Sequence, residues 1–532
     1  MMKKSMVLGI WLTLFLALSC GKTEKKEAVT VEELKPKSGG KIIYGKSSPP
    51  ITLDPASTEE TESTIIAGNI FDGLVEQRAG KIALDPCLAK SWEISTDGKI
   101  STFHLRTGLV FHDGTPFNAD AVVNMFTRQM SKGKAGATYK TWVNFDMDNI
   151  VKGVRGLNDS TVEVTLLKSD ATFLNILSLN FMAIASPAAL KQYGDNFYKN
   201  PVGLGPFKFV SWSTVDSSVI LVANENYWKG RPYIDTIEFK PIKNSKERWQ
   251  QLKAGQITSM GIPDQSDIAE IKNTPGIKYS QQPGLNVAYV AMNMNKKPFD
   301  NPKVREAVVC AINREKLVKE VFGELGRAAK NPIPPNLLGY NDEIRFTPYD
   351  PDRSKKLLAE AGFPNGFKCS FWVFDITRDY MPNGKLAGQL IQSDLKAVGI
   401  ETNIVTYPWQ EFLKRRNNGE HEITLAGWVG DAPDPHFFFY PLLDKTSAEK
   451  RPSTNAAFYK SEEMHELIEK GKETNDAVQR SNIYKKACEV FNKDFPWFSI
   501  AHTLTIMPMR DNIMDFQLHV SALRRFEKVW LK

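Results

Sequence analysis

The chain has 532 residues, enough for about three or four domains at roughly 150 residues each. It is 42% hydrophobic and 24% charged, a balance that supplies a sizeable core and excludes wholesale disorder. The formal charge of +7 is too thinly spread to make the dense basic patch that nucleic acid demands. No uncharged apolar stretch of about 18 residues reads as a transmembrane helix.

In chain order, Lys3 and Lys4 precede an apolar run from Met6 to Leu18 that ends at Ser19-Cys20-Gly21. A charged start, a short apolar centre and a small residue before the cut describe a secretory signal over residues 1–19. The cysteine after the small residue also suggests a bacterial lipoprotein signal, with Cys20 acylated as the mature N-terminus. Ala17 departs from that pattern, which usually carries Leu there, and an ordinary signal peptide with an incidental cysteine is the alternative. Residues 21–40 are rich in Lys and Glu without an aromatic residue, as expected of a solvated tether spanning about 25 Å.

The body alternates between β and α character. Residues 41–46 form a short strand, and 49–55 a proline-punctuated loop. Ile66, Ile70, Leu74 and Val75 give 64–76 a helical spacing. Strands at 91–95 and 101–105 flank Asp97-Gly98, a hairpin signal. Residues 118–131 read as a helix capped by Asn118, 161–167 as a strand, and 201–240 as short strands with Tyr227 and Trp228. In the second half 286–294 is a strand. A helix from Pro302 carries Val304, Val308, Ala311, Ile312, Val318, Val321 and Phe322 on one face and stops at Gly323. Pro332, Pro334 and Pro335 mark a rigid loop, and 353–361 is a helix closed by Gly362. Strand 368–374, helix 384–398 and strand 401–407 make a βαβ unit, the element of a parallel sheet. A strand at 422–427 and helices at 462–472 and 477–491 follow.

Signals for catalysis are absent. Cys87, Cys310, Cys369 and Cys488 are far apart in sequence and read as buried free thiols, although a disulfide is allowed in an exported protein. The seven histidines contain no HExxH, since His465-Glu466 lacks a second histidine. No phosphate-binding glycine loop and no GxSxG is present. The chain is therefore expected not to be an enzyme and to use no cofactor.

Leu105 to Phe117, LRTGLVFHDGTPF, followed by Asn118-Ala119-Asp120-Ala121-Val122, resembles the signature of bacterial extracellular solute-binding proteins of family 5. These are the dipeptide- and oligopeptide-binding lipoproteins of ATP-driven importers. Residues 292–318, 349–367 and 476–496 resemble three further segments of that family, so the likeness runs over nearly the whole body. It implies an α/β, two-lobed type II periplasmic-binding-protein fold with a β-rich domain inserted in the first lobe. Lobe I would comprise 41–57, 205–284 and 501–532, the inserted domain 58–204, and lobe II 285–500.

The chemistry of a free dipeptide sets what the cleft must offer. Its charged ends lie only about 6 to 7 Å apart when extended, and burying them requires a guanidinium for the carboxylate and a carboxylate for the ammonium. Phe374 to Tyr380, FDITRDY, resembles the family's stretch that carries the ligand-pairing arginine, which places Arg378 and Tyr380 in the site. Gly427 to Pro435, GWVGDAPDP, resembles the motif whose first aspartate receives the ligand amine, here Asp431. Trp428 would form an aromatic wall, and the backbone around Gly427 and Val429 would pair with the peptide as an added strand, leaving side-chain identity weakly specified. Arg378 as a surface arginine and Asp431 as a turn residue are the competing readings. Asp434 reads as a turn residue before Pro435, and His421 and His436 as structural residues rather than metal ligands. At 56–61, where relatives offer a small hydroxyl residue, this chain has ASTEET, with Glu59 near that position.

The resemblance thus implies a lipid-anchored receptor at the periplasm or cell surface. It would be a monomer that carries short peptides, dipeptides above all, to the membrane subunits of an ABC permease. A longer peptide, haem or a nickel chelate is the alternative ligand, and a surface adhesin or sensor the alternative role.

Overall fold

The computed structural model describes residues 35–58, 60–77, 83–134, 139–520 and 523–532. The lipoprotein signal, Cys20, most of the tether and Glu59 lie outside them. A mixed twelve-stranded sheet runs through both lobes. Ile400–Val405, Phe367–Trp372, Ile423–Val429 and Asn286–Met292 build one end; Ser259–Met260, Lys41–Lys46, Thr236–Pro241, Val219–Ala223 and Phe207–Trp212 build the other. Between them runs Trp497–Arg510, a strand of 14 residues. Its first part pairs antiparallel with Asn286–Met292 and its last part with Ile277–Pro283 and Ser259. The consecutive strands Ile277–Pro283 and Asn286–Met292 make the same passage, turning at Gly284. A Cβ at Gly284 would collide with the Asn286 side chain and the Thr503 carbonyl, so only glycine lets these backbones approach.

The inserted domain is a separate four-stranded antiparallel sheet of Ala89–Ile94, Ile100–Leu105, Thr161–Leu166 and Val151–Asn158. Its hairpin turns through residues 95–99, where the Gly98 N–H donates to the Ser95 carbonyl at 2.8 Å and Gly98 takes φ +70°, a left-handed conformation that glycine adopts freely. Helix Ala119–Lys134 begins where Asn118 Oδ1 accepts from the Ala121 N–H at 3.3 Å. It packs Val122 and Phe126 against Phe103, Trp142 and Val162. The predicted βαβ unit forms as read: Phe367–Trp372 and Ile400–Val405 are parallel neighbours joined by helix Gly384–Ala397. Among the described residues, Cys87, Cys310, Cys369 and Cys488 are buried free thiols, and no helix is long and apolar enough to cross a membrane.

Two predicted helices differ in the structure. The helix expected over 64–76 covers Thr61–Ile70, and Val75–Gln77 is a strand. Its start shifts because Glu60 caps the helix, accepting from the Glu62 and Ser63 N–H groups at 2.6 and 2.9 Å. Its end shifts because Phe71 is extended and a Cβ at Gly73 would crowd the Val75 and Leu177 carbonyls. The helix expected from Pro302 to Phe322 breaks at Ile312-Asn313. The Asn313 N–H is drawn to Asp394 Oδ2 at 2.9 Å, and its side chain caps the next turn at the Lys316 N–H. The apolar face survives the break because both pieces bury into one core.

Residues 169–171, which follow strand Thr161–Leu166, pack against the end of helix Glu462–Glu473 and the residue two places beyond it. The Ala171 N–H donates to the Lys472 carbonyl at 2.8 Å, Lys472 lies 3.6 Å from Asp170, and Asn475 donates to Ser169 at 2.9 Å. Phe145 meets Phe437 edge to face, with ring centroids 5.6 Å apart.

Candidate ligand-binding site

Strand Ile423–Val429 is paired unequally on its two edges. Toward Asn286–Met292 the register is complete, from Met292↔Ile423 to Asn286↔Val429. Toward Phe367–Trp372 it stops at Trp372↔Thr424. Leu425 to Val429 therefore have a strand neighbour on one side only, the geometry that accepts an extended peptide. Gly427 is buried in this stretch, Trp428 is half-buried and Val429 is exposed.

The loop after Trp372 closes over that open edge. Arg378 and Met381 exchange backbone hydrogen bonds at 3.0 and 2.9 Å, forming a tight loop that presents residues 378–380. The buried Tyr380 ring lies on Gly427, where a Cβ would collide with it. Gly427 is thus required by packing as well as by backbone access. The loop is tied to the strand that runs through both lobes. Thr503 Oγ1 donates to the Asp379 carbonyl at 2.6 Å, while Asn286 holds the Thr503 backbone at both its N–H (2.7 Å) and its carbonyl (3.3 Å).

Two opposite charges stand at this end of the sheet. The half-buried Arg378 guanidinium lies 4.0 Å over the Trp409 ring. It makes no ion pair among the described residues, and its Nε is buried without a hydrogen-bond partner. Burial lowers its pKa below the usual arginine range, though it stays charged at any physiological pH. Asp431 follows the end of the strand. The residue is exposed, yet the surrounding protein displaces enough water from its carboxylate to raise its pKa to about 6. Loss of hydration is the whole cause, and Asp431 too has no ion pair among the described residues. A cation and an anion left unpaired at one sheet end are what a short zwitterion would neutralise.

Neighbouring side chains are otherwise engaged. Trp428 Nε1 donates to the Phe437 carbonyl at 2.8 Å, which fixes the indole. Asp379, beside Arg378, has a raised pKa; burial outweighs the opposing fields of Arg524 and Arg378. Asp434 is more than the turn residue expected from Pro435. It is 2% exposed and pairs with both Arg480 guanidinium nitrogens at 2.6 and 2.8 Å, while Asn175 of the inserted domain donates to it at 3.2 Å. His421 is buried, its Nε2–H donates to the Ala456 carbonyl at 2.8 Å, and burial holds it neutral with a pKa lowered to about 3. His436 is buried and stacks on Tyr440.

Trp409 was not legible as a site residue, although its place directly after Pro408 at the start of helix Trp409–Asn417 is where an aromatic can face an open sheet end. In the stretch compared with the family's hydroxyl position, Glu60 serves as a helix cap. Glu62 bonds to the Ser47 N–H at 3.0 Å and lies 3.6 Å from the fully buried Lys46 ammonium. A cavity of about 170 Å³ lies elsewhere, lined by Asp72, Cys87, Asn180 and Arg525 among others, and shares no residue with the Arg378 and Asp431 set.

Comparison with known proteins agrees with this architecture. Residues 83–450 match the family described as bacterial extracellular solute-binding proteins, family 5 Middle. The chain is 35% identical to the heme-binding protein A of Haemophilus influenzae over 95% of this chain and 94% of that protein. It is 33% identical to the dipeptide-binding protein of Escherichia coli, over 99% of each. Among solved structures, the ABC transporter-associated periplasmic binding protein DppA from Helicobacter pylori, in complex with peptide STSA, superposes with a TM-score of 0.81. That pair is 35% identical, with 93% of this chain and 98% of that chain covered. The chain belongs to the family 5 bacterial extracellular solute-binding proteins, and its fold is the two-lobed periplasmic-binding-protein fold with an inserted domain.

Proposed function

We propose that this protein captures short peptides, dipeptides first among them, outside the cytoplasm and delivers them to an ABC importer. The observation that carries the reading is the pair of unmatched charges, Arg378 and Asp431, at the open edge of Leu425 to Val429. The edge supplies hydrogen bonds to the peptide backbone without reading side chains. Arg378, steadied by Trp409, receives the α-carboxylate, and Asp431 receives the α-ammonium. Tyr380, Gly427, Trp428 and Val429 shape the walls between them. The dipeptide-binding name of one relative and the bound peptide of the H. pylori structure support this ligand class. Ligand bound between the lobes favours the closed form in proportion to its differential affinity for it, and closure is what a permease can recognise. No chemical step belongs to this role.

The same reading holds the body above a membrane by a lipid on Cys20, through the tether that follows, and takes the protein as a monomer. It places lobe I at 41–57, 205–284 and 501–532, the inserted domain at 58–204 and lobe II at 285–500. Calorimetry with Ala-Phe, N-acetyl-Ala-Phe and Ala-Phe-amide tests the charge pairing. Binding of the parent dipeptide with loss of roughly 100-fold or more for each blocked form supports it. Equal binding of all three would overturn it.

A further inference from the structure

A second cluster of polar side chains lies away from the cleft, where helix Glu462–Glu473 meets the turn between His436–Leu443 and Lys445–Glu449. His465 and Glu469 are one helical turn apart and share a face. Asp444 stands opposite them, 0% exposed. One potential ligand atom from each of Asp444, His465 and Glu469 falls within 4.8 Å of the others.

The three groups are unequally satisfied. Asp444 Oδ1 accepts from the Thr446 N–H and hydroxyl at 2.8 and 2.6 Å, capping the following helix. Asp444 Oδ2 is 2.8 Å from His465 Nδ1. The half-buried Glu469 carboxylate has no hydrogen bond or ion pair among the described residues. Lys445, next to Asp444, is held by both oxygens of Glu462 at 2.6 Å, and Lys470, next to Glu469, is exposed and makes no ion pair among the described residues. With a neutral imidazole the three groups carry two negative charges and no cation of their own.

We propose that Asp444, His465 and Glu469 form a binding site for a divalent transition-metal ion, with Zn²⁺ as the ion it fits best. An imidazole with two carboxylates suits Zn²⁺ rather than the all-oxygen shells of Ca²⁺ and Mg²⁺. Donors at about 2.0 to 2.2 Å from a tetrahedral ion lie about 3.3 Å apart, so Glu469 closes on the pair by a side-chain rotation. The metal takes the position of the Nδ1 proton that now faces Asp444, and the neutral imidazole carries that proton on Nε2 instead, so that Nδ1 is free to ligate. The ion would fasten helix Glu462–Glu473 to the turn at Asp444, leaving a fourth position for water.

The test uses the purified full-length protein, stripped with chelator and titrated with Zn²⁺ by calorimetry and thermal unfolding. One saturable Zn²⁺ per chain is expected, with a rise in Tm of roughly 2 to 3 °C at about 100 times Kd. His465→Ala and Glu469→Gln should each weaken binding by at least about tenfold. Glu466→Gln, an exposed carboxylate on the same helix, should leave it unchanged. Glu469→Gln decides the matter, because among the described residues Glu469 makes no hydrogen bond or ion pair whose loss would destabilise the protein. The proposal fails if no saturable 1:1 binding occurs, or if binding survives His465→Ala and Glu469→Gln undiminished.

Discussion

Lowering pH should weaken peptide binding through Asp431, by an amount that the site sets. In the free protein its pKa is raised to about 6 because nearby protein displaces water from the carboxylate of this exposed residue. An α-ammonium beside it in the complex would hold the carboxylate ionised to below about pH 4. At pH 7.5 the free carboxylate is about 97% ionised, and at pH 5 about 9%. Apparent affinity should therefore fall about tenfold between these pH values, because binding at pH 5 must first expel a proton. The ligand's carboxylate and Arg378 do not titrate in that window, whereas its α-ammonium is partly deprotonated at pH 7.5, which trims the tenfold from Asp431 to a net fall of roughly six- to eightfold. The sign reverses for the unliganded protein. A carboxyl whose folded pKa is raised contributes stability below its unfolded pKa, and that contribution is lost as pH rises through about 6. Acidification should thus shrink the ligand-induced rise in Tm. Calorimetry with one dipeptide from pH 5 to 7.5, on wild type and Asp431→Asn, is the assay. The variant should bind weakly with a flat profile, even though Asp379, whose pKa is also raised, remains in place. A flat wild-type profile, or a slope that persists in Asp431→Asn, would refute the reasoning.

Further outcomes follow from the same geometry. Arg378→Ala should cost about 2 to 4 kcal/mol of dipeptide binding, roughly 30- to 1,000-fold, with little change in the unliganded Tm, since Arg378 has no ion pair to lose; calorimetry and thermal unfolding read the two effects. Trp409→Ala removes the surface that Arg378 lies on and should weaken binding by about 1 kcal/mol, again by calorimetry. Gly427→Ala drives a methyl into the Tyr380 ring and should cost about 1 to 3 kcal/mol of stability in denaturant unfolding together with most peptide affinity. Arg480→Ala strands the buried Asp434 carboxylate and should destabilise by about 3 to 5 kcal/mol, seen as a lower unfolding midpoint.

What could be read in the sequence is what local chemistry determines. The Asp97-Gly98 hairpin, the Asn118 cap and the βαβ unit depend on turn residues, a cap and apolar periodicity, each visible within about a dozen residues. The break at Ile312-Asn313 was hidden because apolar spacing continues across it, and its cause is Asp394, 81 residues away. Strand Trp497–Arg510 gave no alternating signal, since it is buried along most of its length, and a strand buried on both faces loses its period of two. Arg378 and Asp431 came from likeness to a family, and the structure adds what no motif carries: neither makes an ion pair among the described residues. Asp434 looked like a turn residue because its partner Arg480 lies 46 positions on. The contact of Tyr380 with Gly427 joins two segments that only folding brings together.

The most direct test of the central claim is native mass spectrometry of the protein purified from cells grown in rich medium, beside Arg378→Ala and Asp431→Asn. The account predicts adducts of dipeptide mass on the wild type that are absent from both variants. Adducts of another class, or peptide adducts that survive both substitutions, would contradict it.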